Sequence, residues 1–210
     1  MTESSEQLLL SELCAGRRRW LIRQSSGVFQ HELTSRPAGI LCGSFNPLHE
    51  GHLRLREVAE QILGGDVWFE LTVTNADKPP LDPTTVRMRC RQFVSHSVLL
   101  TNAGTFPSKA DDLPNTVFVV GFDTAKRILQ PRFYGDSFAR MSTALEHFRR
   151  SGCSFLVAGR RHDEGFGTLT TLRVPEQFCD IFREIRESEF RVDISSTELR
   201  DRDLGLSDDD

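Results

Sequence analysis

The sequence predicts an α/β domain built on a parallel sheet with helices on both faces. Three observations carry that reading. Short unbroken apolar runs recur at strand length, Thr116-Val117-Phe118-Val119-Val120 being one of the longest. Stretches of helical length separate them. Three of the runs end in glycine with polar company, at Gly43-Ser44, Gly121-Phe122-Asp123 and Gly159-Arg160. Runs without alternation suit strands buried on both faces, and strands alternating with helices suit parallel crossovers. Ligands of such sheets bind beyond the carboxyl ends of the strands, so the three glycine-bearing ends are expected to meet at one crevice.

The elements follow in chain order. Glu6 to Cys14 reads as a short amphipathic helix stopped near Gly16, followed by the basic cluster Arg17-Arg18-Arg19 and a β-like stretch at Trp20-Leu21-Ile22. The loop Ser25-Ser26-Gly27 and the turn Ser35-Arg36-Pro37 set this part off, so residues 1–37 are expected to form an N-terminal appendage. Gly39-Ile40-Leu41-Cys42 is a buried strand, and a helix runs from about His49 to Leu63, stopped by Gly64-Gly65. Val67 to Val73 is a strand, Asn75 to Pro83 a proline-rich loop, Thr84 to Val94 a helix capped by threonine, and Ser97 to Leu100 a strand. Val117 to Val120 is the most apolar strand. Helices are expected over Thr124–Leu129 and Ser137–Arg150, and a strand over Ser154–Val157. Arg183 to Phe190 takes no assignment, and Ser195 opens a last helix. The main domain is therefore 38–202, with an acidic tail over 203–210 that is expected to fray.

Composition narrows the function. The chain has 210 residues, 38% hydrophobic and 27% charged, which is globular and not disordered. Its 26 basic and 30 acidic side chains leave a net charge of −4, which weighs against a sequence-blind nucleic-acid binder. No apolar run approaches the roughly 20 residues that cross a bilayer, and the acidic start Met1-Thr2-Glu3-Ser4-Ser5-Glu6 lacks the positive flank of a secretory signal. Neither nucleic acid nor membrane is expected as a partner. Cys14, Cys42, Cys90, Cys153 and Cys179 are scattered and odd in number. That suggests free thiols in a reducing compartment, the cytoplasm or the nucleus.

One motif carries most of the chemistry. Gly43-Ser44-Phe45-Asn46-Pro47-Leu48-His49-Glu50-Gly51-His52 follows a buried strand and opens a helix. Gly43 allows a tight turn against a ligand, and Pro47 stiffens the turn before the helix. His49 and His52, three apart, share a face of the first helical turn, and Gly51 removes the side chain between them. Free N–H groups and positive potential at the helix start favour an anion. Metal binding would want a third ligand nearby, and none is obvious.

A second motif lies near the chain end: Asp193-Ile194-Ser195-Ser196-Thr197-Glu198-Leu199-Arg200. Ser195 and Glu198 have the spacing of a capping box. That spacing leaves Ser196, Thr197 and Arg200 unexplained. Three hydroxyls with helix-start amides can wrap a polyphosphate, and an arginine one turn on can clamp it.

The first stretch resembles the HxGH signature of the nucleotidyltransferase superfamily. Its extended form resembles the nicotinamide and nicotinate mononucleotide adenylyltransferases, and Ala38 to Arg202 is similar to a divergent plant and fungal branch of them. The resemblance implies a Rossmann-like nucleotidyltransferase fold. It implies transfer of AMP from ATP to a phosphate-bearing acceptor, most simply nicotinamide or nicotinate mononucleotide, with magnesium and release of pyrophosphate to form a dinucleotide such as NAD. His49, His52, Ser44 and Arg200 are then the catalytic candidates. Gly43, Phe45, Gly51, Gly121, Asp123, Arg160, Ser195, Ser196 and Thr197 are the nucleotide-binding ones. Asn75, Lys78 and Arg87 match positions that reach the acceptor in the family. The family holds the pyridine ring with aromatic residues, often Trp, and this chain has only Trp20 and Trp68; Phe106, Phe133 and Tyr134 are the replacements at hand. Cytidylyl or phosphopantetheine-type transfer on the same fold is the alternative within enzymes, and a non-catalytic nucleotide-binding protein the alternative outside them.

Overall fold

The computed structural model describes residues 3–33, 35–74, 79–162 and 165–192. Helix α1 (Glu3–Cys14) leads into strands β1 (Trp20–Arg23) and β2 (Phe29–Gln30). The alternation then runs β3 (Gly39–Cys42), α2 (Glu50–Leu63), β4 (Val67–Thr72), α3 (Pro83–Cys90), β5 (Val98–Thr101), α4 (Phe106–Asp112), β6 (Val117–Gly121) and α5 (Phe122–Ile128). Helix α6 (Phe138–Arg150), β7 (Ser154–Ala158), a small hairpin of β8 (Arg160–His162) and β9 (Gly165–Gly167), and β10 (Phe182–Ile185) complete it.

Eight strands make one sheet in the order β10-β7-β6-β3-β4-β5-β1-β2. From β10 to β5 all neighbours are parallel. The chain builds outward from β3 through β4 to β5, then returns to lay β6 on the other side of β3. The direction of winding reverses between β3 and β6, where the two strand ends diverge and leave a crevice.

Because side chains alternate across a strand, the apolar runs feed two cores. Leu41, Phe69, Leu71, Leu100 and Val119 face one side, under α1, α2 and α3. Ile40, Leu99, Phe118, Val120, Phe155 and Val157 face the other, under α4, α5 and α6. Helix α2 buries Gly51, Leu55, Val58 and Ala59 as one stripe, and stops where Gly64 takes φ +70°, a left-handed cap that costs glycine little.

The segment before Ala38, expected as an appendage, is built into this sheet. β1 pairs antiparallel with β5, and Leu10, Leu13, Leu21 and Ile22 are fully buried. The apolar residues of α1 and β1 cover what would otherwise be an open sheet edge and the outer face of α3. Other boundaries also move. Asp82, not a threonine, caps α3, accepting from the N–H groups of Thr84 and Thr85 at 2.9 and 3.0 Å, and the helix ends at Cys90. The sequence reading did not foresee α4; Thr105 caps it and Pro107 sits in its first turn, where a missing N–H costs nothing. The last helix expected from Ser195 lies outside the described residues. Among the described residues, no helix is long and apolar enough to cross a membrane.

Candidate active site at the switch point of the sheet

The first motif forms a sharp corner between β3 and α2. Gly43 still belongs to the sheet, its N–H donating to the Glu70 carbonyl at 3.2 Å. Phe45 then turns the chain with φ +44°, a left-handed conformation that costs a bulky residue on the order of 1–3 kcal/mol. Burial of its ring offsets this: Phe45 is 0% exposed and packs edge-on against His52, Phe69 and Phe93 at 5.0, 5.3 and 5.2 Å. Gly43 is required because a Cβ there would lie 2.8 Å from that ring. The Asn46–Pro47 peptide is cis.

His49 caps α2 in an extended conformation and His52 sits three residues on. The two rings stack with centroids 3.7 Å apart at 25°. The His49 N–H donates to Nδ1 of His52 at 3.3 Å, so that nitrogen is an acceptor and the ring proton belongs on Nε2. Burial, helped by His49, pushes the His52 pKa down to about 3. Burial, helped by the charge of Arg160, also lowers that of His49. At neutral pH the corner therefore presents neutral imidazoles that offer N–H groups without carrying charge. Nδ1 of His49 is buried and has no partner among the described residues, an unsatisfied group of the kind met at binding sites. Gly51 fits the corner because its Cβ would stand 3.0 Å from both His49 Nδ1 and Cγ1 of Val192. Val192 thus packs beside the histidine corner.

Gly43, Ser44 and Asn46 form one wall of a crevice of about 590 Å³. Glu70 and Thr72 of β4, Arg89 of α3, Phe106 and Lys109 of α4 and Thr124 of α5 line the rest. On the β6 side, Gly121 precedes α5, and a side chain there would meet nothing within 4 Å. Asp123, in the first turn of α5, forms an ion pair with Arg160, the first residue of β8. The structure thus gathers Gly43, Ser44, Phe45, His49, Gly51, His52, Gly121, Asp123 and Arg160 around neighbouring strand ends. Phe45 contributes backbone only, since its ring is core.

Arg87 is a correction. It points to α1, where it pairs with Glu6 at 3.0 Å and donates to Gln7 at 2.8 Å, lining a separate cavity of about 240 Å³ with Arg23 and Arg91. Two residues along a helix face nearly opposite ways, so Arg89 is the arginine that turns to the crevice, donating to the Ser44 carbonyl at 3.3 Å. Phe106 lines the crevice, whereas Tyr134 is tied to the Ile128 carbonyl at 3.0 Å and Phe133 is held between Arg127 and Arg132. Asn75, Lys78, Ser195, Ser196, Thr197 and Arg200 lie outside the described residues.

Sequence reasoning missed the floor of the crevice. Glu70 is 0% and Lys109 4% exposed. The Lys109 ammonium donates to Glu70 Oε1 and to Thr72, each at 2.5 Å, and the hydroxyls of Thr72 and Thr101 donate to the same carboxylate oxygen at 2.7 and 2.5 Å. Burial works to raise the Glu70 pKa, but Lys109 and these hydrogen bonds outweigh it and hold it below its ordinary value. Burial and the Glu70 charge push the thiol of Cys42 well up, which keeps it protonated and a poor nucleophile. A lone glutamate inside the apolar run Val67–Val73 was the available signal.

Residues 40–202 match the family model described as cytidylyltransferase-like. The comparison with curated proteins found no match.

Proposed function

The chain belongs to the cytidylyltransferase-like family of nucleotidyltransferases, and from that premise we propose that it transfers AMP from ATP to nicotinamide or nicotinate mononucleotide. One observation carries the reading most: two stacked, neutral imidazoles at the start of α2, set beside the reversal point of a parallel sheet. A phosphate oxygen of the acceptor attacks the α-phosphorus. The new P–O bond joins the nucleotides, the bond to the β-phosphate breaks, and pyrophosphate leaves. The attacking phosphate is already ionised near neutral pH, so no general base is required, and catalysis reduces to alignment and charge stabilisation. The Nε2–H of His52, with His49, holds the α-phosphate as charge shifts to the leaving group. The Ser44 hydroxyl and the Gly43–Phe45 amides support it. The open space at Gly121, with Asp123 and Arg160, suits the nucleotide. Ser195, Ser196, Thr197 and Arg200, as the resemblance of their motif implies, would bind the leaving pyrophosphate. Asn75 and Lys78 would contact the acceptor.

Magnesium enters with the nucleotide in this reading. Among the described residues no three His, Cys, Asp or Glu side chains form a metal cage, and the carboxylates at hand, Asp123 and Glu70, are engaged by Arg160 and Lys109. A magnesium ion bound with the nucleotide would supply charge neutralisation for the triphosphate.

The family's description makes CTP the second donor to test. The experiment is pyrophosphate release from ATP and from CTP, each with nicotinamide mononucleotide, nicotinate mononucleotide and phosphopantetheine. Turnover is expected with ATP and a pyridine mononucleotide, and His52→Ala is expected to lower it about a hundredfold, a loss of about 3 kcal/mol, as for one oxyanion donor. ATP binding without pyrophosphate from any acceptor would make the protein a nucleotide binder. Near-normal turnover in His52→Ala would remove the histidines from the chemistry.

A further inference from the structure

A strained turn needs something to hold it, and a residue far along the chain holds this one. Gln92 lies just past α3, 47 positions from Phe45 and 44 from Leu48. Its Nε2 donates to the Phe45 carbonyl at 2.9 Å, and its Oε1 accepts from the Leu48 N–H at 2.7 Å. The second Nε2 hydrogen goes to the Arg89 carbonyl at 3.2 Å. One side-chain amide thus bridges both limbs of the turn, as a strand partner would, and all three of its bonds fix which end is oxygen and which nitrogen. The turn it spans holds Phe45 at φ +44°, and Leu48 is the residue next to His49, the cap of α2. Whatever moves Leu48 moves the stacked rings.

We infer that Gln92 is the positioning residue of the histidine corner: it locks residues 45–48, and through them aims His49 and His52. The kinetic part of this inference rests on the proposed adenylyl transfer; the geometric part does not. Chemistry at this site demands the role. Only a group with a donor and an acceptor at that reach satisfies both limbs. Glutamate at neutral pH keeps the bond from Leu48 but sets a carboxylate oxygen against the Phe45 carbonyl. Alanine gives neither bond. A displacement of about 1 Å at a reacting group costs roughly a hundredfold in rate, whereas nucleotide affinity is shared with the distant residues assigned to the pyrophosphate and nucleotide. Loosening the turn therefore strikes kcat and spares binding.

The test compares Gln92→Ala, Gln92→Glu and Gln92→Asn with the parent chain. Three readouts are used: pyrophosphate release per folded molecule, ATP affinity by calorimetry, and imidazole ¹⁵N NMR of His52. The expected result for Gln92→Ala is a fall in kcat of about ten- to a hundredfold, with ATP affinity within about threefold of the parent. His52, no longer fixed by the His49 N–H, is expected to leave the single Nε2–H tautomer for a mixture. Gln92→Glu keeps the Leu48 bond but repels the Phe45 carbonyl, so its kcat is expected to fall as well, and it serves in place of an alanine variant that fails to fold. Unchanged kcat per folded molecule together with an unchanged His52 tautomer overturns the inference, whatever happens to the melting temperature. A parent chain that releases no pyrophosphate counts against the proposed function, and the tautomer then decides the inference alone.

Discussion

Removing one partner of the Glu70–Lys109 pair should cost far more than removing both. Their charged atoms lie 2.5 Å apart with side-chain exposures of 5% and 1% for Lys109 and Glu70. At an effective dielectric constant of about 20 the attraction is about 7 kcal/mol. Taking two ions out of water costs several kcal/mol each, so the pair as a whole nets out near zero. Lys109→Met leaves the Glu70 carboxylate buried with only the hydroxyls of Thr72 and Thr101, and should cost about 3–5 kcal/mol. Glu70→Leu, which strands the ammonium, should cost a similar amount. The double variant Glu70→Leu/Lys109→Met should fall within about 1 kcal/mol of the parent, because apolar groups of like volume replace a pair that contributed little net stability. Denaturant unfolding followed by circular dichroism reads all four chains, and the cycle gives the coupling energy. Acid dependence gives a second check. The Glu70 pKa is depressed below 4.5 in the fold, so its contribution is full above that value and disappears as pH falls through the folded pKa. Lys109→Met should shrink that acid limb. Single variants that each cost under about 1 kcal/mol would refute the reasoning, because the charges would then have to be hydrated or uncoupled.

Two further outcomes follow from the histidine corner. Gly51→Ala should separate stability from activity: alanine favours the helix by about 0.5–1 kcal/mol, yet its Cβ meets His49 Nδ1 and Val192 at 3.0 Å, so thermal stability should change little while pyrophosphate release falls about tenfold or more. Normal turnover in that variant would show that His49 does not need its observed place. The His52 pKa is lowered from 6.5 to about 3, so between those values the unfolded chain takes a proton that the folded chain refuses. Stability should be unaffected above pH 6.5 and fall as pH drops from 6.5 toward about 3. His52→Gln should flatten that slope in thermal melts recorded through the window, and an equally steep slope would contradict the neutral buried imidazole.

What the sequence determined by itself is what local pattern encodes. Apolar runs at Gly39–Cys42, Ser97–Leu100 and Val117–Val120 read as strands covered on both faces, and helices between them implied parallel pairing. The ten residues from Gly43 to His52 were legible as a motif because two imidazoles three apart share one helical turn and a glycine stands between them, whereas the packing of the Phe45 ring against Gly43 appeared only in the fold. The tertiary structure alone decided matters between distant positions. Nothing near Trp20 says that its strand will pair with β5, since pairing is a choice among edges and not a property of the run. The helical period separates Arg87 from Arg89, so which arginine meets the crevice depended on the face that α3 buries. Lys109 and Gln92 look like ordinary surface residues in the chain. They acquire their roles because folding brings an ammonium under a lone buried glutamate, and an amide across a strained turn, where water no longer supplies the missing partners.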